Sequence, residues 1–419
     1  MSALLPSLPL TLLLSLLLCL LVLPLLLPAL ALLTLTLAAL GRRDDRPAAT
    51  GAGVPQAAVR VAVLVPAHDE SAHVLPTLRN LQAQLGPRDR LLVVADNCSD
   101  DTAALARAAG AEVVERCDPQ RRGKGYALAF GVDHLRADPP EVVLVVDADC
   151  VLSGGAVATI AHACHAAGRP VQMLNLMSAP PGASLKLRVL EFAMVMKNRL
   201  RPLGTQRLGG VCHLMGTGMA LPWALMAQAR LATGHVAEDM QLGVELTRAG
   251  HGPLFLAQAC VSSRFVDDPA VARRQKARWE HGHLDTLRQE LPALARDALR
   301  LRSRALAALA LDLCIPPVAL YFSLLGALLA CSLAAAAVWP VARPAAALVL
   351  AGTIAFTLSI AIGWWHFGRP LLQARELLRL PLYALWKLPV YVGYALGARS
   401  GWVRTQRAAP TTGHGSPGS

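Results

Sequence analysis

Two aspartates separated by one residue, Asp147 and Asp149, follow the apolar run Val142–Val146 (VVLVV). Alternate carboxylates in an extended turn can bind one hard divalent cation, and Mg²⁺ or Mn²⁺ held by few protein oxygens usually also contacts substrate phosphates. Such a tripeptide is common in solvated turns, so the prediction depends on its position at the end of a predicted strand. Ligands of open α/β sheets bind beyond the carboxyl ends of the strands. The pattern predicts a metal and diphosphate site at Asp147 and Asp149.

Two earlier apolar runs, Val59–Pro66 and Leu91–Ala95, are also predicted strands, and the second is directly followed by an acidic residue. Asp96 directly follows the second run and is predicted to accept hydrogen bonds from a base or a ribose. Pro66 and Glu70, at the end of the first run, are predicted to contact the nucleotide. Several neighbouring side chains have an equal explanation as helix caps: Asp69, Glu70, Ser99, Asp100 and Asp101.

Lys124 lies in a basic, glycine-rich stretch, Arg121–Gly125 (RRGKG). Glycines let a backbone approach a phosphate closely, although the spacing is not that of a Walker loop. A phosphate contact and a solvated basic loop explain the stretch about equally well. We therefore treat Lys124 as a secondary candidate for nucleotide-sugar binding.

Two further groups could act on an acceptor. Glu238 and Asp239 precede a predicted helix, where a carboxylate can cap the helix or remove a proton from a hydroxyl group. Gln275, Arg278 and Trp279 share one face of a predicted helix, because they stand at i, i+3 and i+4. Together they offer a hydrogen-bonding amide, a phosphate-binding guanidinium and a flat surface for a sugar ring. An amphipathic helix on a membrane would also carry Arg and Trp.

Other chemistries are not supported by the sequence. The histidine and cysteine groups at 162–165 and 281–283 lack the spacing of a closed zinc site, and no GxSxG nucleophile elbow occurs. Nine scattered cysteines without a CxxC pair indicate a reducing compartment. The net charge of +12 is concentrated beside apolar segments, which favours anionic lipid over nucleic acid as the partner.

The elements that position these residues alternate between apolar strands and helical stretches, such as 71–85 and 101–110. This alternation predicts an α/β domain over residues 59–303 with a parallel, doubly wound sheet. The domain is framed by apolar segments. The chain of 419 residues is 54% hydrophobic, and residues 1–41 carry no charge, so one tilted membrane helix or a tight pair is expected there.

Arg42, Arg43 and Arg46 open a predicted linker, residues 42–58, and would anchor the exit of this segment on the cytoplasmic side. Residues 304–398 are predicted to hold a transmembrane hairpin, because 305–342 and 344–368 are each long enough to span. Residues 380–398 favour an interfacial helix over a third span. The tail, 399–419, is predicted to be basic and then disordered.

Taken in order, the segments VAVLVPAHDE, VVADNCSDDT, GKGYAL, VVDADC, GTG, AEDM and QKARW resemble the membrane-embedded family 2 glycosyltransferases of the cellulose, chitin and hyaluronan synthase type. The resemblance covers roughly residues 59–282 and implies a GT-A (Rossmann-like) fold with flanking transmembrane helices. It implies Asp239 as the general base, Asp96 at the base of the nucleotide, and Asp147 and Asp149 at the metal and diphosphate. Residues near the diphosphate and acceptor would be Gly216, Thr217, Gly218, Glu238, Gln275, Arg278 and Trp279. Ala237 departs from the Thr that relatives often carry before the Glu-Asp pair.

The resemblance implies a metal-dependent, inverting transfer from a UDP-sugar, with Mg²⁺ or Mn²⁺ as the cofactor. The expected acceptor is a lipid-linked sugar, an oligosaccharide or a growing polysaccharide at the inner membrane, with a cytoplasmic catalytic domain and envelope-export proteins as further partners. A glucosyltransferase for a membrane lipid of the ceramide or hopanoid type is the first alternative. A noncatalytic synthase scaffold would be expected to lack a catalytic carboxylate, and none is missing here. A transporter fits less well still, because the charged βα-patterned centre is too large for a loop and the spans are too few.

Overall fold

The apolar runs of the sequence form the centre of an eight-stranded sheet in the computed structural model, which describes residues 7–41, 59–232, 237–265 and 269–396. The predicted linker with its three arginines, residues 42–58, and the predicted tail, 399–419, lie outside these residues. The strands are β1 Val61–Ala67, β2 Arg90–Asp96, β3 Glu112–Arg116, β4 Val142–Val145, β5 Val151–Leu152, β6 Val171–Ser178, β7 Met219–Pro222 and β8 Leu254–Arg264.

Helices precede, separate and follow these strands. Those up to the end of the sheet are α1 Ser7–Leu40, α2 Val74–Gln82, α3 Thr102–Ala108, α4 Lys124–Leu135, α5 Ala156–Ala167, α6 Leu185–Val195, α7 Arg201–Gly209, α8 Trp223–Met226 and α9 Glu238–Arg248. Those after the sheet are α10 Pro269–Arg300, α11 Arg304–Leu313, α12 Val318–Val338, α13 Arg343–Gly363, α14 Ala374–Leu377 and α15 Leu380–Ala395.

The sheet is mixed, with the strand order β3-β2-β1-β4-β7-β6-β8-β5. β3, β2, β1 and β4 are parallel, as the alternation of strands and helices predicts. The predicted parallel pairing is wrong in part beyond β4: β7 pairs antiparallel with both β4 and β6, whereas β6 and β8 are parallel. The short apolar run of β7 gives no signal of direction, which is set by the long excursion from β6 through α6 and α7.

Both faces of the sheet are buried, which explains the continuous apolar runs. Successive residues of β1 alternate between two cores: Val61, Val63 and Val65 pack with α2 and α5, whereas Ala62 and Leu64 pack with α4 and α9. β2 and β4 alternate in the same way. Two layers of helices therefore fix the carboxyl ends of β1, β2 and β4 at one edge.

Three helical segments of the described chain are long and apolar enough to cross a membrane: Leu10–Leu40, Val318–Val338 and Pro340–Gly368. The first is one continuous helix rather than a pair. The predicted span 305–342 begins later than expected, at Val318, because Pro316 and Pro317 separate it from α11. α11 is amphipathic and packs on α7, α9 and α10.

Close backbone approaches join the apolar helices to the domain. α1 packs against α13 and α7. A Cβ atom at Gly204 of α7 would lie 2.5 Å from the carbonyl oxygen of Leu35 of α1, so only glycine fits there without movement of one helix. α15 has 16 residues and packs against α12, while its Tyr394 hydroxyl donates a hydrogen bond to Asp285 of α10 (2.7 Å). The apolar helices and the α/β domain thus share one packed interior.

Candidate active site

A cavity of about 950 Å³ opens at the carboxyl edge of β1, β2 and β4. The structure brings nearly all the residues predicted from the sequence to its wall. Those lining it are Pro66, Glu70, Asp96, Lys124, Asp147, Asp149, Gly216, Thr217, Glu238, Asp239, Gln275, Arg278 and Trp279. Predicted residues up to 213 positions apart along the chain therefore face one space, from Pro66 of β1 to Trp279 of α10.

The acidic turn after β4 is held by backbone and side-chain contacts. The amide nitrogen of Asp147 donates a hydrogen bond to Thr217 Oγ1 (3.1 Å). One carboxylate oxygen each of Asp147 and Asp149 and the sulfur of Cys150 lie within 4.8 Å of one another. Burial raises the pKa of the Cys150 thiol, and sulfur ligands suit soft metals rather than Mg²⁺ or Mn²⁺. The two carboxylates alone form a donor set that suits a hard divalent cation.

Lys124, the first residue of α4, lies at the centre of the cluster. Its Nζ donates hydrogen bonds to Asp147 and to the carbonyl oxygen of Gly216 (2.7 Å). Burial alone would lower the pKa of Lys124, but the carboxylates of Asp147, Glu238 and Asp239 together raise it above its ordinary value. The ammonium group therefore stays charged and connects the acidic turn with the Gly216 segment.

Glu238 and Asp239 form the first turn of α9 and point into the cavity. Asp239 Oδ1 accepts a hydrogen bond from the amide of Met240 (2.8 Å). A Cβ atom at Gly216, which has φ +79°, would lie 3.1 Å from Asp239 Oδ2, so glycine is needed for this approach. Burial raises the pKa of both carboxyls, that of Glu238 to about 7, against the opposing charge of Lys124. A carboxylate in this state can accept a proton near neutral pH.

The family follows from comparison with known proteins. Residues 57–282, more than half of the chain, match the family described as glycosyltransferase-like family 2. The chain belongs to this family. A probable glycosyltransferase of Bacillus subtilis, YdaM, is 24% identical over 238 residues, which are 54% of this chain and 55% of the relative. The chain thus spans about half the length of that relative.

The fold of this family 2 glycosyltransferase is also found in solved structures. A mannosyltransferase from Pyrobaculum calidifontis, in complex with GDP-mannose and Mn²⁺, superposes with a TM-score of 0.52 at 17% identity. The match covers 84% of this chain and 99% of the other. The α/β domain therefore has a GT-A-like fold with a mixed, curled sheet and apolar helices beside it.

Asp96 lines the cavity, but neighbouring side chains already donate hydrogen bonds to its carboxylate. It is only 6% exposed, and its Oδ1 accepts hydrogen bonds from Arg116 Nη1 (2.6 Å) and Asn97 Nδ2 (3.0 Å). The guanidinium of Arg116 also lies over the ring of Tyr126, 5.5 Å from its centre. Sequence reasoning missed Arg116, which ends β3 beside Asp96. A basic residue at the end of the neighbouring strand was the available signal.

One of the neighbouring acidic residues binds a backbone amide at the start of a helix, as the alternative explanation of helix caps predicts. Asp100 Oδ1 accepts a hydrogen bond from the amide of Thr102 (3.0 Å) at the start of α3, whereas Asp101 provides no side-chain cap. Asp69, with φ +52°, accepts a hydrogen bond from the amide of Ser99 (2.6 Å) and so joins the turns after β1 and β2. Asp69 and Asp100 are therefore explained by structure alone.

The turn at 216–218 is supported from beneath by Gln172, a second residue that sequence reasoning missed. Gln172 is fully buried in β6; its Nε2 donates to the carbonyl oxygen of Thr217 (2.9 Å), and its Oε1 accepts from the amide of Met215 (2.8 Å). Gly218, predicted to line the acceptor site, lies below the cavity wall. A Cβ atom there would be 2.5 Å from Met173 and from Val261, which explains the glycine by packing.

Proposed function

We propose that this chain is an inverting glycosyltransferase that moves a sugar from a UDP-sugar to a lipid-linked or growing polysaccharide acceptor at the membrane, in exopolysaccharide or cell-envelope biosynthesis. One observation carries the proposal. The half-buried carboxyl pair Glu238 and Asp239 and the acidic turn Asp147 and Asp149 line one cavity, and the charge of Lys124 acts on both. A transferase needs both a diphosphate site and a base within reach of one anomeric carbon.

The donor would bind along the carboxyl edge of the sheet. Pro66, Glu70 and Asp96 would contact the nucleoside, and Lys124 would contact the diphosphate. Asp147 and Asp149 fit Mg²⁺ or Mn²⁺, since both are oxygen donors and the neighbouring sulfur suits softer metals. Such an ion, when bound, neutralises charge that develops on the leaving nucleoside diphosphate. The Pyrobaculum mannosyltransferase, which binds GDP-mannose and Mn²⁺, supports this choice of cofactor.

Asp239 would act as the general base. The acceptor oxygen attacks the anomeric carbon as its proton passes to the Asp239 carboxylate, and the bond from that carbon to the diphosphate oxygen breaks on the opposite face. A single displacement of this kind inverts the anomeric configuration. The raised pKa of Asp239, caused by burial, suits a base that works near neutral pH. Gln275, Arg278 and Trp279 would position the acceptor and the diphosphate beside Gly216 and Thr217.

The apolar helices support a membrane location. We propose that residues 59–303 form a cytoplasmic domain, and that residues 1–41 and 304–398 hold it at the inner membrane as a multi-pass protein. Three apolar helices of sufficient length support this arrangement. A membrane-lipid glucosyltransferase that adds one sugar is the second candidate. It is favoured by the continuation of the cavity among residues of α12 and α13.

Release of nucleoside diphosphate tests the proposal. The full chain in nanodiscs would be assayed with a panel of UDP- and GDP-sugars, Mg²⁺ or Mn²⁺, and crude lipid and oligosaccharide acceptors. We expect one donor to support metal-dependent release, and Asp239→Asn to lower the rate by about 10²–10⁴-fold. Asp133→Asn is the matched control, because Asp133 is an exposed carboxylate paired with Arg136.

Product analysis separates the two candidates. One sugar on a lipid would favour the membrane-lipid glucosyltransferase, whereas a lipid-linked oligosaccharide or a polymer would favour the first proposal. An inverted anomeric configuration in the product is expected in both cases. Absence of release from every donor, with acceptors present, would contradict both and support a noncatalytic scaffold.

A further inference from the structure

The cavity does not end at the predicted catalytic residues. It continues past α10 into an arm lined by side chains of three apolar helices, which we call the apolar arm: Val318 and Phe322 of α12, Phe356 and Ile360 of α13, and Leu380 and Ala384 of α15. α12 and α13 are two of the helices long enough to cross a membrane. A compartment of this composition binds hydrocarbon better than a polar sugar chain.

A lysine, Lys197, lines the same cavity as the carboxyl pair and the apolar arm. Lys197 belongs to a π-helical turn, Met196–Leu200, that joins α6 to α7. Its side chain is exposed to the cavity, while its neighbours Met196 and Asn198 are buried. A π-helical turn contains one residue more than an α-helical turn and often occurs at functional sites. Sequence reasoning missed this lysine because nothing in the sequence marks the extra residue.

Packing fixes the π-helical turn. Met196 fits against Gly363 of α13, where a Cβ atom would overlap its sulfur. Asn198 Nδ2 donates a hydrogen bond to the carbonyl oxygen of Asn175 in β6 (3.1 Å). The turn is therefore held on one side by a candidate membrane helix and on the other by the sheet. Lys197 has a defined position at the boundary between the α/β domain and the apolar helices.

The charges around Lys197 leave it available for an anion. Two other cations that line the cavity have acidic partners: Arg201 Nε donates to Asp312 (2.6 Å), and Lys387 pairs with Glu280. Within the described residues Lys197 forms no hydrogen bond or ion pair, although Asp239, Asp312 and Glu280 are near enough to influence its charge. Burial, followed by the charge of Arg201, lowers the pKa of Lys197. A bound anion would supply a direct ionic partner that Lys197 lacks among the described residues.

We propose that Lys197 binds the phosphate group of an amphiphilic acceptor whose hydrocarbon chains occupy the apolar arm. The inference rests on the proposed function and names the acceptor class: a phospholipid-type molecule with a free hydroxyl on its headgroup. Phosphate is the usual source of negative charge in membrane lipids. Because Asp239 lines the same cavity and its charge acts on Lys197, a headgroup hydroxyl next to the phosphate would be within reach of Asp239. The acceptor oxygen gains the sugar, its proton passes to Asp239, and the nucleoside diphosphate leaves.

Direct lipid binding tests this inference without relying on activity. Radiolabelled dioleoylphosphatidylglycerol and dioleoylglycerol share hydrocarbon chains and a free hydroxyl, but only the first carries phosphate. Their binding to the full chain would be measured in neutral detergent, with glycerol phosphate as a probe without hydrocarbon chains. We expect phosphatidylglycerol to bind at least tenfold more tightly than either of the other two.

Variants separate a specific site from general electrostatic attraction. Lys197→Met should raise the Kd for phosphatidylglycerol about 10- to 100-fold, as expected for the loss of one charged hydrogen bond. Lys197→Arg should restore most of the affinity. Lys186→Met, at an exposed lysine of α6, should bind as the unmodified chain does. Ile360→Trp, which fills the apolar arm, should weaken lipid binding and leave binding of glycerol phosphate unchanged.

Several outcomes would overturn the inference: equal binding of both lipids, equal binding of glycerol phosphate, or an equal loss in Lys186→Met and Lys197→Met. The diphosphate-release assay distinguishes failure of this inference from failure of the proposed function. Lysine-dependent lipid binding without release from any donor would leave the lipid site standing and contradict the transferase. Release of diphosphate with a water-soluble acceptor, together with no lipid binding, would contradict this inference alone.

Discussion

Lys124 Nζ donates hydrogen bonds to Asp147 of the acidic turn and to the carbonyl oxygen of Gly216, 92 residues further along the chain. Its charge also acts on Glu238 and Asp239. One ammonium group therefore connects the proposed diphosphate site with the proposed base. In the sequence, Lys124 was a secondary candidate, because a basic loop is as often solvated as it is bound to phosphate.

We predict that Lys124→Met lowers kcat/KM for the nucleotide-sugar donor by about 10²–10³-fold, the range for loss of one group that stabilises developing charge. The matched control is Lys186→Met, at an exposed lysine. The rate of diphosphate release at limiting donor concentration measures the effect. A change of less than tenfold would mean that Lys124 only supports the fold of the turn.

The carboxyl pair predicts the dependence of the rate on pH. A base must be deprotonated to act, and burial raises the pKa of both carboxyls, that of Glu238 to about 7. We therefore expect kcat/KM to be constant at pH values above the apparent pKa of the pair, and to fall about tenfold per pH unit below that pKa. A raised carboxyl pKa moves this loss to higher pH than an ordinary Asp or Glu would.

Removal of one carboxyl tests whether the pair titrates together. Glu238→Gln removes a negative charge next to Asp239, which should lower the pKa of Asp239 and shift the acid limb of the pH–rate profile to lower pH. Glu245→Gln, on the same helix, is the control and should leave the profile unchanged. An acid limb at the same pH in Glu238→Gln would show that another group controls the rate.

The residues at the carboxyl edge of the sheet could be predicted from the sequence because an acidic residue marks the end of two of the apolar runs. Asp96 and Asp147 follow apolar runs directly, and parallel strands place such residues at one edge. Gln275, Arg278 and Trp279 reach the same cavity because their spacing determines a helix face. In these cases local pattern and fold agree.

The remaining site residues depend on long-range pairing that no local pattern contains. Arg116 binds Asp96 because β3 pairs with β2, and Gln172 supports the turn at 216–218 because β6 lies beside β7. Lys197 faces the cavity because of a π-helical turn whose extra residue is accommodated by Gly363. The direction of β7 and the start of the span at Val318 also could not be predicted from local sequence patterns.

The contact between α1 and α7 can be tested by adding one carbon atom. We predict that Gly204→Ala lowers the free energy of unfolding by about 1–3 kcal/mol, because the new Cβ would overlap the backbone of Leu35 and neither helix can move independently. Gly154→Ala is the control, since a Cβ atom there meets open space. The thermal unfolding midpoints of both variants, in the same detergent, provide the comparison. Equal midpoints would show that α1 is not packed on α7 in solution.

A buried ion pair joins α7 to α11 and predicts a larger effect. Arg201 and Asp312 are 4% and 8% exposed, and Arg201 Nη2 also donates to the carbonyl oxygen of residue 312 (2.7 Å). Asp312→Asn should lower the free energy of unfolding by about 3–5 kcal/mol, because it leaves the guanidinium buried without a counter-charge. Glu115→Gln, which breaks the exposed pair with Arg107, should cost less than about 1 kcal/mol.

The double variant Arg201→Met with Asp312→Leu distinguishes a buried charge from lost packing. Two apolar side chains of similar volume remove both charges at once, and such replacements of buried ion pairs are often neutral or stabilising. We therefore expect the double variant to unfold at a higher temperature than Asp312→Asn alone. If both variants unfold at the same reduced temperature, the stability of this region depends on the shape of the two side chains and not on their charges. The attachment of α11 to the α/β domain would then rest on its apolar face, through Leu306 and Leu309.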